Sequence, residues 1–145
     1  MPRAAGFTLL ELLLVLLIVG LLTAISVAWL ARGETLAADA LQRLAEQASA
    51  LDARARDSGQ IIGLGWTQQG PARFEPARQE GAQRWRTQPL AGSWPQHVRP
   101  TPEQSTEPWV IFTPTGIARP ASLHWQWPDG QAHWRWSGDG ALQVE

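Results

Sequence analysis

Apolar and polar positions along the 145-residue chain fall into three textures. From Phe7 to Leu30 almost every residue is apolar, and Leu12 to Leu30 carries no charge. Those nineteen residues span about 28 Å as a helix at ~1.5 Å each, close to the ~30 Å hydrocarbon thickness of a bilayer. From Glu34 to Asp57 the apolar residues thin out and recur at helical spacing. Ala37, Leu41, Leu44, Ala48, Leu51 and Ala55 make one stripe. Asp39 with Arg43, and Asp52 with Arg56, are i,i+4 acid-then-base pairs. Gly59 stands where a helix would be capped. The spacing predicts one long helix from Phe7 to about Ser58, with Gly33 as the candidate break and Gly20 as the weak point. Its first half suits lipid, and its Ala-rich second half suits close packing against a sheet.

Beyond Gly59 apolar residues come in short runs between Gly and Pro, which predicts antiparallel β structure. Expected strands are 61–67, 72–75, 83–88, 109–113, 121–127, 132–137 and 142–144. Expected turns are Gln69-Gly70, Thr113-Pro114-Thr115-Gly116, Pro128-Asp129-Gly130 and Gly138-Asp139-Gly140. Leu90 to Pro108 is rich in Pro, Gln and Thr and reads as a long surface loop, either a binding element or disordered.

The last hairpin can be read residue by residue. A two-residue Asp129-Gly130 turn sets Trp125 against Trp134, Leu123 against Trp136 and Trp127 against Ala132. One face is then Leu and Trp, and the other carries His124, Gln126, His133 and Arg135, with the two histidines diagonal. A Gly138-Asp139-Gly140 loop brings Leu142 against Trp136 and Val144 against Trp134. The indoles suit a core face packed on the Ala-rich helix. An exposed stacking platform for single strands or sugars is the alternative.

Composition narrows the chemistry. Net charge is −1, and all twelve basic residues are Arg. No basic excess favours nucleic acid. From Ala121 onward Arg135 stands alone against Asp129, Asp139 and Glu145, which repels phosphate. Cys is absent, excluding disulfides, thiol nucleophiles and zinc ribbons. The three histidines, His97, His124 and His133, form no ligand pattern, so no metal is expected. No nucleophile–base set or phosphate loop is visible, so no enzyme activity, cofactor or small-molecule substrate is expected.

The N-terminus is more specific. Arg3 gives a minimal basic leader, and Ala24-Ile25-Ser26 is a passable signal-peptidase site. The apolar run is too long for an ordinary signal, however, and Glu11 sits inside it. A carboxylate in a membrane helix costs about 2.5–3.5 kcal/mol, so Glu11 either stays wet at the membrane edge or has a role. The string Gly6-Phe7-Thr8-Leu9-Leu10-Glu11, before an unbroken apolar run, closely resembles the processing site of type IV prepilins. That family includes pilins and the pseudopilins of type II secretion.

The resemblance implies that a prepilin peptidase cleaves between Gly6 and Phe7 on the cytoplasmic face. The new amine of Phe7 is then N-methylated. Glu11 becomes the fifth mature residue and faces a Phe7 amine, its own or a neighbour's. In low dielectric that pairing offsets two isolated charges and fixes axial register. The many relatives with a proline inside the helix are not matched, because none lies between Pro2 and Pro71.

The run Val110 to Gly116, with Phe112, Pro114 and Gly116 as a Phe-x-Pro-x-Gly turn element, is similar to the H-type minor pseudopilins. The fold expected is α+β, a long helix packed on an antiparallel domain. Residues 1–6 would be the leader, 7–32 the transmembrane half-helix, 33–58 the amphipathic half and 59–145 the periplasmic β domain. The protein would be single-pass in the inner membrane, N-terminus cytoplasmic. Its expected partners are prepilin peptidase, other minor and major pseudopilins, and inner-membrane lipid, with no nucleic acid. The expected role is a structural subunit near the pseudopilus tip. A minor type IV pilin for pilus assembly or DNA uptake is the alternative, and a membrane-anchored periplasmic enzyme the third reading.

Overall fold

The computed structural model describes residues 8–79, 82–103, 106–117, 121–138 and 141–145. The chain divides into two compact units, one ending at Thr35 and the other Leu36–Glu145. Helix α1 spans Leu9–Ser58 and contributes to both.

Within the first unit, Leu9–Val27 is long and apolar enough to cross a membrane, and its side chains are all exposed. Its described hydroxyls are satisfied on the helix itself. Thr23 Oγ1 donates to the Val19 carbonyl at 2.7 Å, and Ser26 Oγ to Leu22 at 2.9 Å. Such bonding hides polar groups from hydrocarbon.

The second unit is built on the stripe of α1. Ala37, Leu41, Leu44, Ala48, Leu51 and Ala55 are all buried, joined by Ala40. Of the two expected ion pairs, Arg56 Nη2 and Asp52 Oδ2 close at 2.9 Å. The helix ends as expected, with Gly59 at φ +68°.

Nine strands follow: β1 (Ile62–Thr67), β2 (Gly70–Gln79), β3 (Ala82–Pro89), β4 (Arg99–Thr101), β5 (Val110–Thr113), β6 (Gly116–Ile117), β7 (Ala121–Trp127), β8 (Gly130–Trp136) and β9 (Leu142–Val144). One sheet has the order β3-β2-β1-β5-β6 and the other β4-β7-β8-β9. Every described pairing is antiparallel. The α+β class expected from the sequence is the one observed.

The core gathers the helix stripe, Ile62, Leu64, Val110 and Phe112 of the first sheet, and Leu123, Trp125, Trp134 and Trp136 of the second. Bulky indoles meet a small-residue helix face, so Ala on the helix makes room for Trp on the sheet. Trp125 sits among other rings. It lies 5.9 Å from Trp66, 5.3 Å from Trp94, 6.0 Å from Trp109 and 5.3 Å from Trp134, centroid to centroid. Trp66 belongs to the first sheet and Trp134 to the second. Rings at these separations and tilts attract beyond the area they bury. The indoles are therefore core, and the stacking-platform alternative is set aside for Trp125, Trp134 and Trp136.

Three expectations need correction. Residues 90–108 are not simply a surface loop. They contain β4 and bury Val98 and Pro100 completely. Trp94 is anchored there by its Nε1, which donates to the Val98 carbonyl at 2.7 Å. The strand alternates exposed, buried, exposed, but three residues centred on proline are too few to show that period in the sequence. Pro100 is tolerated because β4 is the sheet edge.

Next, β2 runs on through Pro76 to Gln79 instead of stopping at Glu75. It pairs with β1 only as far as Phe74, so Pro76 needs a partner on one side alone, opposite Trp85 of β3.

The final correction concerns the last hairpin, whose turn is Pro128-Asp129 and whose register differs by two. Trp127 pairs with Gly130, Trp125 with Ala132, Leu123 with Trp134 and Ala121 with Trp136. Proline pre-sets the second position of a common turn and glycine suits its fourth, which fits Trp127-Pro128-Asp129-Gly130. The Asp129-Gly130 turn would need positive φ at glycine, and Gly130 has none. A shift of two keeps every side chain on its face, so the expected core residues survive. Leu142 opposite Trp136 and Val144 opposite Trp134 stand as expected. Asp139 and Gly140 of the expected final turn lie outside the described residues.

Candidate functional site

Three places carry the residues singled out from the sequence. At the N-terminus, Gly6 and Phe7 lie outside the described residues. Glu11 is in the first turn of α1 and exposed. Its backbone N–H donates to Thr8 Oγ1 at 3.3 Å and to the Thr8 carbonyl at 3.0 Å. Thr8 is thus the N-cap and Glu11 the third helical residue, the Thr-x-x-Glu arrangement of a capping box. An acidic group there also meets the positive end of the helix dipole. The signal in the sequence is the Thr-x-x-Glu spacing itself. The local geometry thus supports a carboxylate at position 11 before any partner is considered.

The Phe112, Pro114, Gly116 element forms the β5–β6 hairpin. Phe112 is buried between Ile62 on β1 and Ile117 on β6 in the ladder. Pro114 and Thr115 make the turn, and Gly116 takes φ +128°, which side-chain-bearing residues rarely adopt. Thr113 Oγ1 donates to the Gly116 carbonyl at 2.6 Å. The β1–β2 turn repeats the device, with Gly70 at φ +109° and Thr67 Oγ1 donating to its carbonyl at 3.2 Å. Turn geometry alone therefore accounts for the Pro and Gly of the motif.

On the outer face of the second sheet the corrected register brings His124 directly opposite His133. They are not diagonal. Their rings stack with centroids 4.2 Å apart and planes 8° from parallel. His133 Nδ1 lies 3.7 Å from Glu145 Oε2. Among the described residues no three His or acidic side chains gather as a complete ligand set.

A cavity of about 650 Å³ is lined in part by Trp66, Trp94 and three glutamines, Gln68, Gln69 and Gln96. Its charged lining residues, Arg99 and Glu103, are paired with each other.

Of these places, the N-terminal one has a counterpart among known proteins. Residues 1–27 match the prokaryotic N-terminal methylation motif. The match covers the Gly6–Phe7 junction, Glu11 and the apolar span to Val27. It makes this N-terminus type IV pilin-like and implies processing by a prepilin peptidase. With the apolar helix it indicates membrane anchoring. No curated protein and no solved structure matches the chain.

Proposed function

We propose that this chain is a minor pseudopilin of the H type, a structural subunit near the tip of a type II secretion pseudopilus. One observation carries the reading: a prepilin-type motif and apolar span are joined to a helix stripe that packs on an antiparallel β domain. A chain built this way enters a filament through its apolar helix and presents a folded domain outside. Cleavage after Gly6 leaves Phe7 as the methylated N-terminus. The domain faces the periplasm, and Glu11 meets a Phe7 amine in the assembled helices.

The role is structural. The cavity beside Trp66 and Trp94 offers indoles and amides, and its one carboxylate, Glu103, is paired with Arg99. The H-type assignment is supported by the Phe112–Gly116 hairpin and the terminal β7–β8–β9 ribbon. A minor type IV pilin is the second reading, because the methylation motif serves both systems.

Deleting the chain and measuring export tests the assignment. Loss of folded proteins from the medium, with surface pili and DNA uptake intact, is the expected result. Intact secretion with lost pili would establish the second reading.

A further inference from the structure

We infer that the outer edge of β3 takes up an extended acidic segment of another protein as an added antiparallel strand. The segment it fits alternates acidic residues with apolar, β-branched ones. This surface belongs to the β domain and is independent of the choice between secretion and pilus systems.

The backbone sets the edge. β3 ends the five-stranded sheet and pairs on one side only, with β2, among the described residues. The Leu90 N–H donates to the Pro71 carbonyl at 3.0 Å, in register with that ladder. Bonded pairs alternate along an antiparallel ladder, so Gln88, Arg86 and Arg84 are the residues that bond to β2. The N–H and C=O groups of Trp85 and Thr87 then point away from β2. None of the described turn and loop hydrogen bonds reaches them. Pro76 fits the same parity, because it stands opposite Trp85, where no N–H toward β3 is needed. Two residues with outward backbone groups at i,i+2 are the template that an incoming strand uses.

Charge selects the partner. Residues 70–89 carry four Arg against two Glu, in a chain with twelve basic and thirteen acidic residues. Arg84 and Arg86 are exposed and share one sheet face with Arg73 and Glu75. Glu75 is divided between Arg73 Nε and Arg86 Nη2, each at 3.2 Å. A recess of about 490 Å³ on this side is lined by Arg73, Glu75 and Arg86 together with Arg54 of α1. One carboxylate there answers three guanidiniums.

The alternation follows from the register. Residues opposite Arg84 and Arg86 on an added strand form non-hydrogen-bonded pairs, the kind whose side chains lie closest. Acidic side chains at those places pair across the strands. Residues opposite Trp85 and Thr87 supply the hydrogen bonds, and their side chains fall on the other face. There the half-buried Trp85 packs on Phe74, ring centroids 6.4 Å apart, which suits an apolar neighbour. A second copy of β3 would set Arg against Arg in this register, so the edge refuses its own kind.

The test titrates the full chain, in non-ionic detergent at low salt, into a fluorescent peptide of four Glu-Val repeats and follows anisotropy. Saturable binding is expected, weakened more than tenfold by 0.5 M NaCl. A peptide of four Lys-Val repeats should not bind. N-methylation of the valines removes the donors that face β3 and should abolish binding, whereas N-methylation of the glutamates should change it less than threefold. Arg84→Glu combined with Arg86→Glu should lose the Glu-Val peptide and gain the Lys-Val one. Far-UV circular dichroism checks that this variant is folded, and the methylated peptides decide the matter without it. No binding at millimolar Glu-Val peptide overturns the inference. So does equal binding of the two methylated peptides, which would reduce the contact to charge attraction without a strand.

Discussion

The indole of Trp127 lies across Gly130, its cross-strand partner at the mouth of the β7–β8 hairpin. A Cβ built on Gly130 would stand 2.8 Å from Trp127 Cε2, Cζ2 and Nε1. Glycine is needed here for the space above it, since its φ is not in the left-handed region. The ring in turn covers backbone that a glycine leaves bare.

Gly130→Ala should therefore push the indole aside and lower stability by about 1–3 kcal/mol, the usual effect of forcing a group into a packed site. Gly138→Ala is the matched control, because nothing lies within 4 Å of its Cβ position. Thermal unfolding followed by near-UV circular dichroism compares the two. Equal melting of both variants would remove the steric account.

Gly116 is constrained by its own backbone, at φ +128°. Gly116→Ala should cost on the order of 1–3 kcal/mol through strain at the β5–β6 turn. Pro114→Ala should cost less, since it loosens the turn without forcing a conformation. Denaturant midpoints of the two variants give the ranking, and the reverse order would contradict it.

Trp134 is fully buried between Trp125 and Trp136. Trp134→Ala should destabilise the second unit by about 3–5 kcal/mol. An unchanged melting curve would place the ring outside the core.

Processing is tested by mass. The membrane form of the wild type should begin at N-methyl-Phe7, and Gly6→Val should retain the leader because the added bulk blocks the peptidase. A mature chain beginning after Ser26 would instead make the segment an ordinary secretory signal.

The cap at Thr8 and the proposed pairing of Glu11 with a Phe7 amine can be pulled apart. Thr8→Ala removes the cap hydroxyl, worth about 1 kcal/mol of helix stability, and leaves the carboxylate in place. Glu11→Ala removes the carboxylate. Both variants should still be cleaved and inserted. Only Glu11→Ala should markedly reduce co-purification with sibling subunits, if pairing with a Phe7 amine drives assembly. Equal losses in both would assign Glu11 to the cap alone.

Periodicity carried the sequence reading furthest where one pattern repeats over many turns. All six stripe positions from Ala37 to Ala55 are buried as their spacing required. In the β region the alternation of Leu123, Trp125, Trp134 and Trp136 located the core face, because parity survives a shift of two. Register did not survive, since it depends on which two residues turn, and Pro128 outweighed Gly130. That one shift moved His124 from a diagonal to a direct neighbour of His133, so the stacking of the two rings was illegible beforehand. β4 escaped because three residues around Pro100 have no period to read. The Thr-x-x-Glu spacing of Thr8 and Glu11 is legible in the sequence, and the Glu11 N–H on Thr8 Oγ1 marks the helix start it signals.

The ring cluster around Trp125 has an optical consequence. Closely spaced indoles couple their electronic transitions, and the coupled signal depends on mutual distance and tilt. Trp66 comes from one sheet and Trp134 from the other, each within 6 Å of Trp125, centroid to centroid. The docking of the two sheets therefore writes itself into the ultraviolet spectrum. The protein carries its own label for watching that docking form and dissolve, with no dye attached.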